Sequence, residues 1–419
     1  MTGQVAASTA PATKKPSPLH HAPFRWLLAA RTIGVVGNAV APIALAFAVL
    51  DLTGSPVDLG LVVGARSIAN VAVLLFGGVI ADRLPRRLVL VGTSVGAALT
   101  QGVVAALVLT GTAAIWSLIA LSILNGAVSA VSLPAAAAMV PETVPADVLR
   151  PANALLRLGL NGGTILGASV GAGVVALIGP GAGLAVDAAS FALAALCYAR
   201  MRLPHQIPRP TSGGSVLSDL REGWWEFSGR RWIWIVVAQF TVLNAAYVGG
   251  STVVGPVVAD GSFGRAGWGL VVAAQAVGLA VGAIVALRWR PRHALGIGVG
   301  LMAVTALPLA ALGLLPSLPV LLIAFGLGGI AMELFSIAWD QSLQTNVPRD
   351  ALSRVYSYDM VGSFVAVPLG ETLVGPLTQS FGTVQTLLGC ALVVLLASIA
   401  AVSTRSVRGL TTDPPSIRE

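Results

Sequence analysis

G-G-V-I-A-D-R-L-P-R-R, residues Gly77 to Arg87, is a charged island between two apolar runs, Leu59 to Ile80 and Leu88 to Thr110. One aspartate and three arginines so placed mark a short turn where two membrane spans return to water. The rest of the chain repeats this alternation. Of its 419 residues, 56% are hydrophobic and only 10% charged, with a mean hydropathy of +0.86, far from the composition of a soluble domain. Apolar windows of about 20 residues, enough to cross about 30 Å of hydrocarbon, fall twelve times. They run over 24–50, 59–81, 88–110, 114–139, 152–178, 184–200, 232–258, 267–287, 294–315, 319–345, 355–377 and 383–402. An all-α integral membrane protein is expected.

The net charge of +8 could suggest nucleic acid, but the basic residues are placed for a membrane. With both termini in the cytoplasm, 21 Lys and Arg lie in cytoplasmic segments and only Arg265 lies outside. By the positive-inside rule this orients the chain in a plasma membrane and supports an even number of spans. Residues 1–22 read as a disordered cytoplasmic tail, 23–200 as a first six-helix bundle, 201–231 as a cytoplasmic linker, 232–402 as a second bundle and 403–419 as a cytoplasmic C-terminal tail. Internal repetition supports the division. Leu84–Gly92 matches Arg290–Gly298 at an offset of 206, and Val144–Arg150 matches Val347–Arg354 at 203. Two matches at nearly one offset indicate duplicated halves in the same orientation. Cys197 and Cys390 fall in spans and imply neither disulfide nor metal.

The spacing Gly78-x-x-x-Asp82-Arg83-x-x-Arg86-Arg87 resembles the loop 2-3 signature of the major facilitator superfamily, with Pro85 where Gly is usual. Gly163-T-I-L-Gly167-A-S-V-Gly171 in span five resembles the signature of drug exporters, with Ala168 and Ala172 where Pro and Gly are usual. The run from Ala152 to Pro204, Gly255-Pro256-Val257-Val258-Ala259 and Arg354-Val355-Tyr356-Ser357-Tyr358-Asp359 are similar to the branch that includes macrolide-efflux and enterobactin-export proteins. The resemblance implies two pseudo-symmetric six-helix bundles that rock about a central site, driven by a proton gradient without a cofactor. It also implies that Gly78, Asp82, Arg83, Arg86 and Arg87 latch the cytoplasmic ends of the halves. One family feature departs: Ser122 stands where many drug:proton antiporters carry an Arg four residues before a Gly, here Gly126.

Energy must come from somewhere. The only lysines, Lys14 and Lys15, lie in the tail, so no Walker A loop exists, and no HExxH or nucleophile elbow appears. Ionisable residues within spans are the remaining candidates. Glu333, near the middle of span ten, is the first choice as the proton-coupling acid, because desolvation there disfavours its charge. Glu371 is the second. Arg31 with Asn38, Arg66 with Asn70 and Arg157 with Asn161 are spaced by seven or four residues, so each pair shares a helix face. They either hold cargo or pair with Glu333 and Glu371 across the cleft. Asn125 in span four, Gln239, Asn244 and Tyr247 in span seven and Gln275 in span eight either line a cavity or bind helices together. Asp340 and Asp359 are expected to be solvated or paired with loop arginines, and Trp26, Trp116, Trp232 and Trp268 to anchor span ends at the interface.

The expected activity is efflux of a hydrophobic or amphiphilic small molecule by proton antiport, from a monomer whose partners are lipid, cargo and protons. A siderophore exporter, a small-metabolite importer and a non-transporting membrane sensor or assembly partner remain as alternatives.

Overall fold

The computed structural model describes residues 17–83, 85–137, 139–202, 224–225, 227–289, 291–348 and 352–411. Among them are twelve helices long and apolar enough to cross a membrane, and no strand. The first half contains α1 (Ala22–Thr53), α2 (Pro56–Arg83), α3 (Arg86–Leu109), α4 (Ile115–Ala137), α5 (Leu149–Leu177) and α6 (Pro180–Arg200). The second contains α7 (Arg231–Asp260), α8 (Gly264–Arg288), α9 (Ala294–Leu314), α10 (Leu318–Asn346), α11 in two pieces (Leu352–Phe364 and Val367–Phe381) and α12 (Thr383–Ser403).

Duplication is visible in the packing. In the first half α1 packs on α5 and α6, α2 on α4, and α3 on α4 and α6; in the second α7 packs on α11 and α12, α8 on α10, and α9 on α10 and α12. These are the same five pairings shifted by six helices. The two main seams between the halves, α2 on α11 and α5 on α8, exchange under the same shift. Both seams lie toward the end of the bundle away from the chain termini, hereafter the far end.

Small residues make those seams possible. A Cβ at Gly60 of α2 would strike the Glu371 carbonyl oxygen of α11, and one at Gly269 of α8 would strike the Ala172 methyl of α5. Gly163, Gly167 and Gly171 of α5 instead pack on α1, within the first half. The exporter-like glycine run is therefore an intra-bundle surface, while Ala168 and Ala172 face the other half.

Several expectations are corrected. Within the expected tail, Pro18–His20 forms a 3-10 turn packed on α1 and α5; residues 1–16 lie outside the described residues. Of the expected linker, 203–223 and 226 lie outside them, but Trp224 and Phe227 stack on each other and pack edge-on and tilted, respectively, against Tyr358 in the first piece of α11. Trp232 and Trp268 are core residues, packed edge-on against Trp339 and Phe325, because these helix ends are covered by neighbouring helices. Trp116 is exposed, and Trp26 lies under the Arg200 guanidinium.

Candidate functional site

A cavity of about 370 Å³ lies between the halves, lined by Pro42 and Leu45 of α1, Val63, Arg66, Ser67, Asn70 and Val71 of α2, Thr252 of α7, and Met360, Phe364, Val367 and Glu371 of α11. Its walls are mostly apolar, and its polar groups converge on one spot, which is the usual composition of a small-molecule site. Arg66 and Glu371 face each other there from opposite halves. Glu371 is only 3% exposed, its Oε2 has no hydrogen-bond partner, and Ser67 lies against its carboxyl. The Arg66 guanidinium donates from Nη2 to Asn38 Oδ1 at 3.4 Å, and the two carboxylates that act on it are Asp187 and Glu371. Asn70 donates to the Gly126 carbonyl at 3.2 Å, fixing the α2 face against α4.

A second, smaller cavity of about 130 Å³ adjoins the first through Met360 and Phe364 and is lined by Phe240, Phe335 and Trp339. Phe240 and Phe335 stack at 5.0 Å, and Phe335 stacks on Trp339 at 6.3 Å. The helix geometry places these rings together: Phe335 and Trp339 are four residues apart on one face of α10. Asp359 accepts from Trp339 Nε1 at 2.9 Å and from Ser363 at 3.2 Å, and Asp340 accepts from the Tyr356 hydroxyl at 3.0 Å. Of the two expected states, solvation or pairing with loop arginines, the second is replaced by bonds from tryptophan, serine and tyrosine.

The other sequence candidates separate into three groups. Glu333 lies outside both cavities, half-buried against Gly282 of α8, with Arg157 of α5 as its cationic neighbour. Arg157, Asn161 and Asn38 are exposed, and Arg31 is electrostatically close to Tyr198 of α6. The stripe on α7 turns into its own half: Gln239 donates to Ser398 Oγ at 3.2 Å, Asn244 to the Ser363 carbonyl at 2.9 Å, and Gln275 to the Tyr247 hydroxyl at 3.0 Å. Asn125 donates to Thr100 Oγ1 at 3.2 Å. In place of a cavity wall these groups make interhelical bonds, as buried polar side chains surrounded by apolar neighbours must. Asp187, an ionisable residue near the outer end of span six, is joined at 2.6 Å to Gln101 of α3, a partner that the sequence does not mark.

The chain matches the model of the family described as transmembrane secretion effector over residues 13–414. It belongs to that family. It is 26% identical over 402 residues to the multidrug efflux pump Tap of Mycolicibacterium fortuitum, covering 92% of this chain and 96% of that one. To Tap of Mycobacterium tuberculosis it is 24% identical over 412 residues, covering 94% and 96%. Among solved structures it is similar to the nucleoside transporter NupG, with a TM-score of 0.73 at 16% identity over 90% of this chain and 98% of that one. It is also similar to a bacterial homologue of the human lysosomal transporter Spinster in an inward-facing, unoccupied conformation, with a TM-score of 0.71 at 15% identity over 94% and 98%. These two likenesses show the fold. The protein is a major facilitator transporter of the efflux type and not an enzyme.

In this secretion-effector transporter the far end carries an ion cluster across the halves. Arg265, in the first turn of α8, donates from Nη1 to Asp51 Oδ2 at 2.9 Å, from Nη2 to Asp51 Oδ1, and from Nε to Asp260 Oδ1 at 2.7 Å. Its guanidinium also covers the Phe47 ring at 4.9 Å. Asp51 and Phe47 belong to the first half, Arg265 and Asp260 to the second. At the terminal end the two described arginines of the loop expected to latch the halves make these contacts. Arg86 pairs with Glu142, and Arg87 donates to the Tyr198 and Ala199 carbonyls, all within the first half. The backbone of Gly78, Asp82 and Arg83 forms the end of α2, and their side chains lie outside the described ones.

Proposed function

We propose that the chain exports a hydrophobic or amphiphilic small molecule in exchange for protons, by alternating access, with Glu371 as the coupling acid. The observation that carries this reading is a nearly buried, half-unpartnered carboxyl facing an arginine from the opposite half, in the wall of an apolar cavity between the halves. A carboxyl so placed is costly when charged and cheap when protonated, and its cost changes when the halves move. Tight packing and the Arg265 cluster close the far end, so on this reading the cavity opens toward the termini, the end that the distribution of basic residues assigns to the cytoplasm. Glu333, outside the cavity with Arg157 of the other half as its cationic neighbour, is read as a structural residue. An anionic siderophore is the weaker cargo class, because the Arg66 charge in the cavity is already shared by two carboxylates.

The experiment is accumulation of macrolides, dyes and siderophores in an efflux-deficient bacterium expressing the chain, with and without a protonophore, followed by reconstitution. Lower accumulation of at least one compound, restored to control by the protonophore, is expected. In proteoliposomes Glu371→Gln is expected to abolish uphill transport and to spare exchange. Uphill transport by Glu371→Gln would refute the assignment.

A further inference from the structure

We propose that Asp187 is the resident counter-charge of Arg66: a positioning residue that holds the guanidinium in the cavity wall when the halves separate, leaving Glu371 free to gain and lose the proton. This rests on the proton-coupled reading above.

Asp187 is fully buried in α6. Its Oδ2 accepts from Gln101 Nε2 of α3 at 2.6 Å, while Oδ1 has no hydrogen-bond partner. That free oxygen points at α1, where a Cβ on Gly37 would lie 2.8 Å from it. The next residue along, Asn38, is the one that Arg66 Nη2 bonds. Asp187 and Arg66 therefore converge on the same turn of α1 from α6 and α2. The groups facing Asp187 are Gly37 on α1, Gln101 on α3 and Ser190 on its own helix, with Arg66 on α2 as the cation that acts with it. A buried carboxylate with one bonded oxygen needs a cation, and Arg66 supplies it.

The distribution over the halves decides what moves. Asp187 and Arg66 ride on α6 and α2 of one bundle and stay together when the bundles rock. Glu371 rides on α11 of the other and leaves. While Asp187 is ionised, Arg66 is neutralised before Glu371 arrives, so Glu371 meets a neutral pair and can arrive protonated. Without Asp187, Arg66 would be an uncompensated cation that holds Glu371 as a lasting ion pair.

The test uses the full chain with Cys197 and Cys390 replaced by Ala and spin labels at Thr112→Cys and Ser317→Cys, exposed positions at the far ends of the two halves. The far-end distance is followed against pH for the parent, Asp187→Asn, and Asp187→Asn with Arg66→Gln. Loss of Asp187 alone is expected to move the midpoint down by about one pH unit or more, because Glu371 then faces an unneutralised guanidinium. Removing both partners is expected to return it toward the parent. Melting temperatures of the two single variants and the double variant form a cycle that does not depend on transport, and the double variant is expected to melt no lower than either single one. An unmoved midpoint in Asp187→Asn, additive melting losses, or failure of the double variant to accumulate in the membrane would each overturn the proposal. A parent whose distance ignores pH would instead sink the proton-coupled reading, and the melting cycle would still decide the Asp187–Arg66 pairing.

Discussion

Replacing Arg265 with Ala removes four contacts that cross or flank the far-end seam: two bonds to Asp51, one to Asp260 and the cover over Phe47. The Arg265 side chain is 26% exposed and that of Asp51 43%, so each ion pair is worth toward about 1 kcal/mol at most. The cation-π contact adds about 0.5 kcal/mol at such a site. Contacts made only when the far end is closed therefore sum to about 1.5 kcal/mol, which is about a tenfold change in the ratio of closed to open. The two aspartates left behind repel and push the same way. Spin labels at Thr112→Cys and Ser317→Cys in the cysteine-free background report that ratio as two distance populations. Arg265→Ala is expected to raise the far-open population about tenfold, high salt to do part of the same in the parent, and exchange of the charges, Arg265→Asp with Asp51→Arg, to recover much of the closed state. Arg265→Lys keeps the charge but loses the two-pronged geometry and is expected to fall between. An Arg265→Ala distance distribution identical to the parent would refute the cluster as a closing device.

Gly60→Val places a branched side chain against the Glu371 carbonyl; the variant is expected to insert normally, remain far-open by the same labels and transport slowly. Gln239→Leu and Asn244→Leu break bonds inside the second half. Each is expected to lower stability by about 1–3 kcal/mol in a melting assay without changing which compounds are exported. Arg86→Ala and Glu142→Ala are expected to destabilise less in combination than the sum of their separate losses, with the distance between halves unchanged by Glu142→Ala, since that pair lies within the first half.

How much was readable follows from what lipid does to sequence patterns. Span positions depend on length and apolarity alone, and the duplicated halves on a repeated spacing, so both could be read in one dimension. Which side of a span faces the cavity could not. In water a helix shows its inner face by being apolar; in lipid the outer face is apolar too, so Gln239, Asn244 and Tyr247 make a stripe whose direction is ambiguous. They turn inward to Ser398, Ser363 and Gln275. The same ambiguity attaches to Glu333 and Glu371. Depth along the helix favoured Glu333, but rotation about it places Glu371 in the cavity and Glu333 beside Gly282. Trp232 and Trp268 were misplaced for a related reason: a span end covered by a neighbouring helix is not an interface.

Proline gives a cue to rotation that hydropathy lacks. A proline within a helix removes the N–H that the carbonyl four residues earlier would accept, and in a membrane that carbonyl is tolerable only against protein or a wet cavity. Pro42 frees the carbonyl of Asn38 in α1, and Asn38 holds Arg66. Pro256 frees Thr252 within the π-turn Gly250–Val254 of α7, and Pro368 frees Phe364 at the break in α11. Thr252 and Phe364 both line the cavity. Pro308 frees Val304 in the 3-10 turn Met302–Thr305 of α9, and Pro134 lies within α4; neither helix lines the cavity, so the rule marks three cavity helices out of five, and in α11 it is Pro368 and not Pro376 that marks the lining. The helices so interrupted are α1 on one side of the cleft and α7 and α11 on the other. Broken helices at the cavity supply bends as well as polar backbone, so under the proposed rocking mechanism α7 and α11 are expected to flex at the depth of Glu371, with the α5–α8 seam, which has no proline at its contact, as the pivot.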